Sequence, residues 1–266
     1  MSKGTFIHPT SVVEDGSSLG ENVHIGPLCH IGPQVKLGDG VEIIAQVSLQ
    51  GNTTIGDNSR IFPFASIGNE PQDLKFHGEE CSLIVGENCI IREGVTMNPG
   101  TEGGGSITRV GNRCTLLANA HVAHDCQVGN NVIMSNSVML AGHCTVGDFV
   151  IFGGGSAVHQ FCRIGNNAFI GGLAGVEGDV IPFGTVMGNR AKLAGLNLIG
   201  MKRSGIERSA IHAVRGAYKA LFEGDRPVQE VAIEMMSTEK EPRVITMLEF
   251  VTAAADRPLC TPGKIE

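Results

Sequence analysis

The sequence predicts a parallel β-helix closed at its C-terminal end by a small α-helical domain. Three observations carry that expectation. An apolar residue recurs at every sixth position, from Ile7, Val13, Leu19 and Ile25 through Ile67, again at Val85, Ile91 and Met97, and from Val110 through Val176. A glycine often follows it, as at Gly26, Gly38, Gly56, Gly111 and Gly147. After Val176 the register fails, because Pro182 and Gly188 fall where the next apolar residues belong, and helical spacing replaces it. A period of six fits neither an amphipathic helix nor a continued alternating strand, and it marks a hexapeptide β-helix.

Each hexad reads as a short strand and a bend. The sixth-position residue points into a narrow core, and the glycine behind it is expected to permit the turn. The position four further on is small or β-branched (Val23, Cys29, Val35, Val41, Thr53, Ala65) and can share the interior. Three hexads close one 18-residue coil, and coils stack at about 4.8 Å. Two stretches interrupt the pattern. Residues 69–84 place Asp73 and Glu79 at apolar positions, so they are expected to leave the prism as a loop. Residues 98–109 shift the register by one and read as a glycine-rich excursion. Three glycines there could cradle a phosphate, but no helix start follows them.

Stacked coils leave open ends that need caps. From about Ser204, Ile206, Ala210, Ile211, Val214, Ala217, Tyr218 and Leu221 recur at helical spacing, with Gly224 at the stop. Val228, Val231, Ala232 and Met235 predict a second helix, and Val244, Met247, Leu248 and Val251 a third. The division expected is a β-helix over residues 1–190 and an α-helical domain over 191–266.

Composition agrees with a thin repetitive core: aromatics are 5%, Trp is absent and glycines number 37. No 18-residue apolar run exists, so no membrane span is expected. The start, MSKGTFIHPT, carries no hydrophobic signal region, which leads to the expectation of a cytoplasmic protein. The eight cysteines include no CxxC pair and several fall at inward positions, so they read as reduced core thiols. Net charge is −7 but uneven. From Arg190 to Arg226 there are eight Lys and Arg residues against Glu207, Glu223 and Asp225, a local surplus of five. Such a basic cap suits an acidic partner or phosphorylated ligand, or is simply a solvated face.

The chemistry concentrates in NAHVAHDC, residues 119–126. His124 lies two residues after Val122. Eighteen residues on is Gly142, and eighteen more is Gln160, so the three should stack in one column. The same count puts His143 over Asp125. A base, an adjacent carboxylate and a glycine backbone N–H on one patch meet the needs of acyl transfer. Histidines on such a face can also serve only as hydrogen-bond partners. Three imidazoles (His121, His124, His143) could alternatively hold zinc, a use that leaves Gln160 and the basic cap without a role.

These residues resemble the bacterial UDP-N-acetylglucosamine O-acyltransferases, which start lipid A synthesis. The resemblance spans nearly the whole chain and rests on NAHVAHDC, LAGH at 140–143, AVHQF at 157–161, QDLK at 72–75 and GLNLIGMKRSG at 195–205. It implies that the β-helix is left-handed, against the usual crossover rule. It implies transfer of a (3R)-hydroxyacyl chain from acyl carrier protein to the 3-hydroxyl of UDP-N-acetylglucosamine (UDP-GlcNAc). His124 would be the base, Asp125 its support and the Gly142 N–H the oxyanion donor. His121, His143 and Gln160 would position substrates, Asp73 and Lys75 would contact the sugar nucleotide, and Asn197 and Arg203 would bind from the helical side. A residue in the coil above the catalytic one would limit acyl length, Gly172 by motif, with Arg190 as the other candidate. The resemblance implies a homotrimer with sites between adjacent prisms, and neither cofactor, metal nor nucleic acid. Ile199 and Ser204 stand where the family often has an acid and a second arginine, and Asn98-Pro99-Gly100-Thr101 where it often has His-Arg-Gly-Thr. An N-acyltransferase on an amino-sugar nucleotide and a non-catalytic hexapeptide scaffold are the rival readings.

Overall fold

Most hexads form a strand of two residues, as in His24–Ile25, His30–Ile31 and Lys36–Leu37. The computed structural model describes residues 4–263. The strands stack as three sheets of 11, 9 and 8 strands, parallel but for the last strand of the first, which open with Phe6–Ile7, Val12–Val13 and Ser18–Leu19. Ile7 pairs with Ile25, Ile25 with Ile43 and Ile43 with Ile61, the coil of 18 residues the repeat requires. Ile25, Ile31, Ile55, Val122 and Phe152 are fully buried, as are Val23, Val35 and Val41 from the second inward position. Burying one such side chain contributes about 1.5–3 kcal/mol, so stability is spread over many equivalent rungs. Seven cysteines are buried and all eight are free.

The glycines act differently from the expectation. A Cβ on Gly26 would overlap the Ile44 carbonyl oxygen, so glycine there allows coils to approach. The left-handed bend falls two residues later, three after the apolar residue, at Asn22 (φ 55°), Leu28 (59°), Gln46 (53°) and Phe64 (67°). Asp125 (61°) and His143 (61°) occupy this same corner position.

Both interruptions emerge where they were expected, though the strands resume sooner, at Ser82 and Ile107. They leave from one corner, between the second sheet (ending at Ile67 and Met97) and the third. The His124 corner, between His121–Val122 and Gln127–Val128, lies next along the same edge.

The prism continues past Val176. Gly184–Met187 pairs with Phe169–Ile170, and Lys192–Leu196 folds back on it antiparallel, so this hairpin crosses the expected boundary at 190. Helices follow at Leu198–Arg203 (α1), Arg208–Phe222 (α2), Val228–Met236 (α3) and Pro242–Thr252 (α4). The last three match the apolar spacing, and the six-residue α1 starts before the expected helical region. α2 turns Ala210, Ile211, Val214, Ala217 and Leu221 inward. Arg163 fastens the helices to the last coil. Its Nε donates to buried Asp179 at 2.7 Å, another guanidinium N–H reaches the Phe250 carbonyl at 3.2 Å, and the group lies 4.5 Å over the Phe250 ring. Among the described residues, no helix is long and apolar enough to cross a membrane.

Candidate active site

The strand register builds the histidine column. His121–Val122 pairs with Met139–Leu140, and that strand with Ala157–Val158, which sets His124, Gly142 and Gln160 one above another. Gly142 is required by space. A Cβ there would stand 2.5 Å from His124 Cε1 and 2.7 Å from Nε2. The imidazole therefore lies against a bare backbone. His143 N–H donates to the His124 carbonyl at 3.0 Å and Phe161 N–H to the Gly142 carbonyl at 3.2 Å, so the corner is held on both sides. Among the described residues nothing accepts the Gly142 N–H.

His124 Nδ1 is 2.8 Å from Asp125 Oδ2, and the Asp125 side chain is wholly buried while that of His124 keeps 13% exposure. Asp125 Oδ1 also accepts the Thr101 N–H at 2.8 Å, and Oδ2 lies 2.6 Å from Thr101 Oγ1. A backbone N–H can only donate, so Oδ1 is an acceptor, and an ionised carboxyl there makes Oδ2 one as well and places the His124 proton on Nδ1. In that tautomer Nε2 keeps its lone pair. His143 packs edge-on to His124 at 5.0 Å between ring centres and stacks on Phe161 at 4.5 Å. Its Nδ1 is 3.8 Å from Asp125 Oδ2. Burial pushes His143 below the usual imidazole range, with Asp125 pulling the other way. Burial lowers His121 as well, and His124 adds to that shift. His121 Nδ1 meets the Thr96 hydroxyl at 2.7 Å.

His121, His124 and Gly142 line a cavity of about 350 Å³ on the outer face of the second sheet, with Met139, Ala157 and Gln72. Gln72 escaped the sequence reading, although QDLK was singled out for its neighbours. The structure brings Asp73 and Lys75 near enough for their charges to act on His143. Thr101 also escaped, because a non-periodic excursion gives no count to follow. His124, Asp125 and His143 offer donor atoms within 4.8 Å, but not the three imidazoles of the zinc alternative. Nδ1 of His124 and both carboxylate oxygens are already engaged, which suits a base better than a ligand set.

Asn197 and Arg203 lie elsewhere. They line a groove of about 880 Å³ on the outer face of the first sheet, with Ile133, Ile151 and Phe169. Asn197 is held at both ends of its amide. Its Oδ1 caps α1 by accepting Gly200 N–H at 2.9 Å, and its Nδ2 donates to the Asn167 carbonyl at 2.9 Å. These two bonds fix the amide at the edge of the groove and leave one N–H and one lone pair of it for a ligand. Ser204 takes the Asn167 side chain at 3.0 Å, and Ile199 is exposed in the groove.

Gly172 sits exposed at the corner between first and second sheets, three coils beyond His124 rather than one. A Cβ on it would meet only the Gly154 carbonyl, at 3.5 Å. Arg190 stands past the strand Gly175–Val176, paired with Glu177 at 3.2 Å.

The comparisons decide the family. Residues 179–260 match the model described as UDP-N-acetylglucosamine O-acyltransferase, domain 2, and residues 16–47 and 107–142 match the bacterial transferase hexapeptide model. A protein of Sinorhizobium fredii named acyl-(acyl-carrier-protein)–UDP-N-acetylglucosamine O-acyltransferase is 53% identical over 259 residues, covering 97% of this chain and 96% of its own. This chain belongs to that family. A like-named protein of Bartonella bacilliformis is 50% identical over 97% of this chain and 95% of its own. Among solved structures, a UDP-N-acetylglucosamine acyltransferase superposes with a TM-score of 0.94 at 40% identity, covering 97% of this chain and all of that one. The enzyme from Campylobacter jejuni gives 0.92 at 34%, with 97% and 100% covered. The coil is thus the left-handed parallel β-helix of the acyltransferase family, with its helical C-terminal part.

Proposed function

We propose that this acyltransferase moves a (3R)-hydroxyacyl chain from acyl carrier protein to the 3-hydroxyl of UDP-GlcNAc, in the cytoplasm, as the opening step of lipid A synthesis. The observation that carries the reading is the His124–Asp125 pair, whose Nε2 is free, set against the unclaimed N–H of Gly142. Nε2 takes the proton of the sugar hydroxyl as its oxygen attacks the thioester carbonyl. The Gly142 N–H meets the developing oxyanion. Collapse forms the ester, breaks the C–S bond and expels the carrier thiolate, which receives the proton back from His124. Asp125 accepts the Nδ1–H and stabilises the imidazolium between these transfers. His121 and His143, kept neutral by burial, are available with Gln160 and Gln72 to hold the substrates.

The His124 cavity and the Arg203 groove occupy different outer faces of one prism. A cyclic homotrimer would set one chain's cavity against a neighbour's groove and complete the site, with Asp73, Lys75 and Arg203 on the nucleotide. The apolar strip of Met139 and Ala157 would take the acyl chain, with Gly172 or Arg190 at its limit. The test is mass spectrometry of products from hydroxyacyl carrier proteins of several lengths with UDP-GlcNAc and its 3-amino analogue. An alkali-labile ester on UDP-GlcNAc is expected. Acylation of the amino sugar alone, as an alkali-stable amide, would refute the reading.

A further inference from the structure

The glycine-rich excursion at residues 98–106 turns its Thr101 N–H inward, to a carboxylate of the same chain. It closes over Asp125. Thr101 is buried there and puts two donors on the carboxylate, its N–H on Oδ1 at 2.8 Å and its hydroxyl on Oδ2 at 2.6 Å. With His124 Nδ1 at 2.8 Å, three donors converge on one buried anion. The Thr108 hydroxyl takes the Asp125 N–H at 2.7 Å, so the backbone of the acid is fixed as well. The excursion is shaped for this contact. Gly104 and Ser106 N–H groups both bond the Thr101 carbonyl, at 3.0 and 2.8 Å, in a tight turn over Glu102–Gly104. A Cβ on Gly104 would overlap the Asp125 carboxyl carbon, so only glycine lets the turn lie flat on the acid.

We propose that Thr101 is a positioning residue for the acyl transfer: its N–H and O–H orient the Asp125 anion, which fixes His124 with its proton on Nδ1 and Nε2 open to the acceptor hydroxyl. The inference rests on the histidine-base reading above. Charge-assisted hydrogen bonds hold geometry more firmly than neutral ones. A carboxylate tethered only by the histidine could rotate about its last bond and let the imidazole exchange tautomers. The proton of the acceptor hydroxyl still travels only to Nε2 and then to the carrier thiolate, while Thr101 keeps its own.

Thr101→Val deletes the hydroxyl donor at nearly constant volume and keeps the N–H. The expected result is a fall in kcat of about ten- to hundredfold, the range for a lost hydrogen bond to a charged group. KM for both substrates should stay within about twofold. Thr101→Ser should recover kcat to within about threefold, because the hydroxyl returns. Nitrogen NMR of protein labelled at histidine should show His124 as the Nδ1–H tautomer in the wild type and a tautomer mixture in Thr101→Val. If Thr101→Val does not fold, Gly104→Ala, whose Cβ lifts the turn off Asp125, should give the same kcat loss and tautomer mixture. Wild-type kcat and tautomer in whichever of these variants folds would overturn the proposal. Equal impairment of Val and Ser variants with a wild-type tautomer would also overturn it, since the effect would then be loop packing. His124→Ala run beside them separates the two claims. Full activity there refutes the base itself, whereas an inactive His124→Ala with a normal Thr101→Val refutes only the role of Thr101.

Discussion

Gly142→Ala tests the histidine column at its tightest point. The added methyl would stand 2.5 Å from His124 Cε1 and 2.7 Å from Nε2. Ordinary carbon contacts begin near about 3.5 Å, so the ring or the Gly142 backbone must give by roughly 1 Å. The ring is the part that moves, because the Gly142 corner is pinned by the Phe161 N–H at 3.2 Å from its carbonyl and by its own neighbours in the coil. Gly142 is not among the positive-φ glycines, so alanine meets no backbone strain there. A misplacement of about 1 Å at the reacting group costs about 10²-fold in rate. The expected outcome is therefore a kcat about a hundredfold lower. The thermal midpoint should move by no more than about 4 °C, the shift that goes with about 1 kcal/mol. Initial rates of ester formation measured by mass spectrometry, beside a thermal melt, give both numbers. Activity within about threefold of wild type, with an intact fold, would mean that His124 does not act where the column places it.

Three further outcomes follow from the same geometry. His121 and His143 both sit below the usual imidazole range, so each resists protonation when folded. Their contribution is fully present above the unfolded value of about 6.5 and is lost as pH falls from there through the lower folded values; urea midpoints should hold above about pH 6.5 and drop below it, and a flat profile would contradict the burial argument. Reversing Arg208 and Arg215 to Glu should raise KM for the acidic carrier protein and flatten its salt dependence, and an unchanged KM at low salt would make the basic face mere solvated surface. Gly172→Met should favour shorter acyl donors by about tenfold in relative rate, since the glycine faces open space; no change would pass the ruler to Arg190, at the end of the second sheet.

The prism was legible in the sequence because one inward position repeats and its errors cannot accumulate. The column of His124, Gly142 and Gln160 was legible for the same reason: residues 18 apart must stack. Thr101 and Gln72 were not, because the excursions that carry them follow no period and their paths depend on the contacts they end in. The glycines after each apolar residue were assigned to the bend, whereas Gly26 shows that they make room between coils and that the bend lies at Leu28. α1 went unseen because six residues with an internal glycine carry too little apolar spacing to register. The capping of α1 by Asn197 was not legible either, because the residue was read only as part of a motif.

The most direct test of the central claim is acyl transfer from (3R)-hydroxyacyl carrier protein to UDP-GlcNAc by wild type and by His124→Ala. The account predicts an ester product and a turnover lower by about 10²–10⁴-fold in the variant, the range for a lost general base, with the thermal midpoint unchanged. Turnover within about threefold of wild type would contradict it.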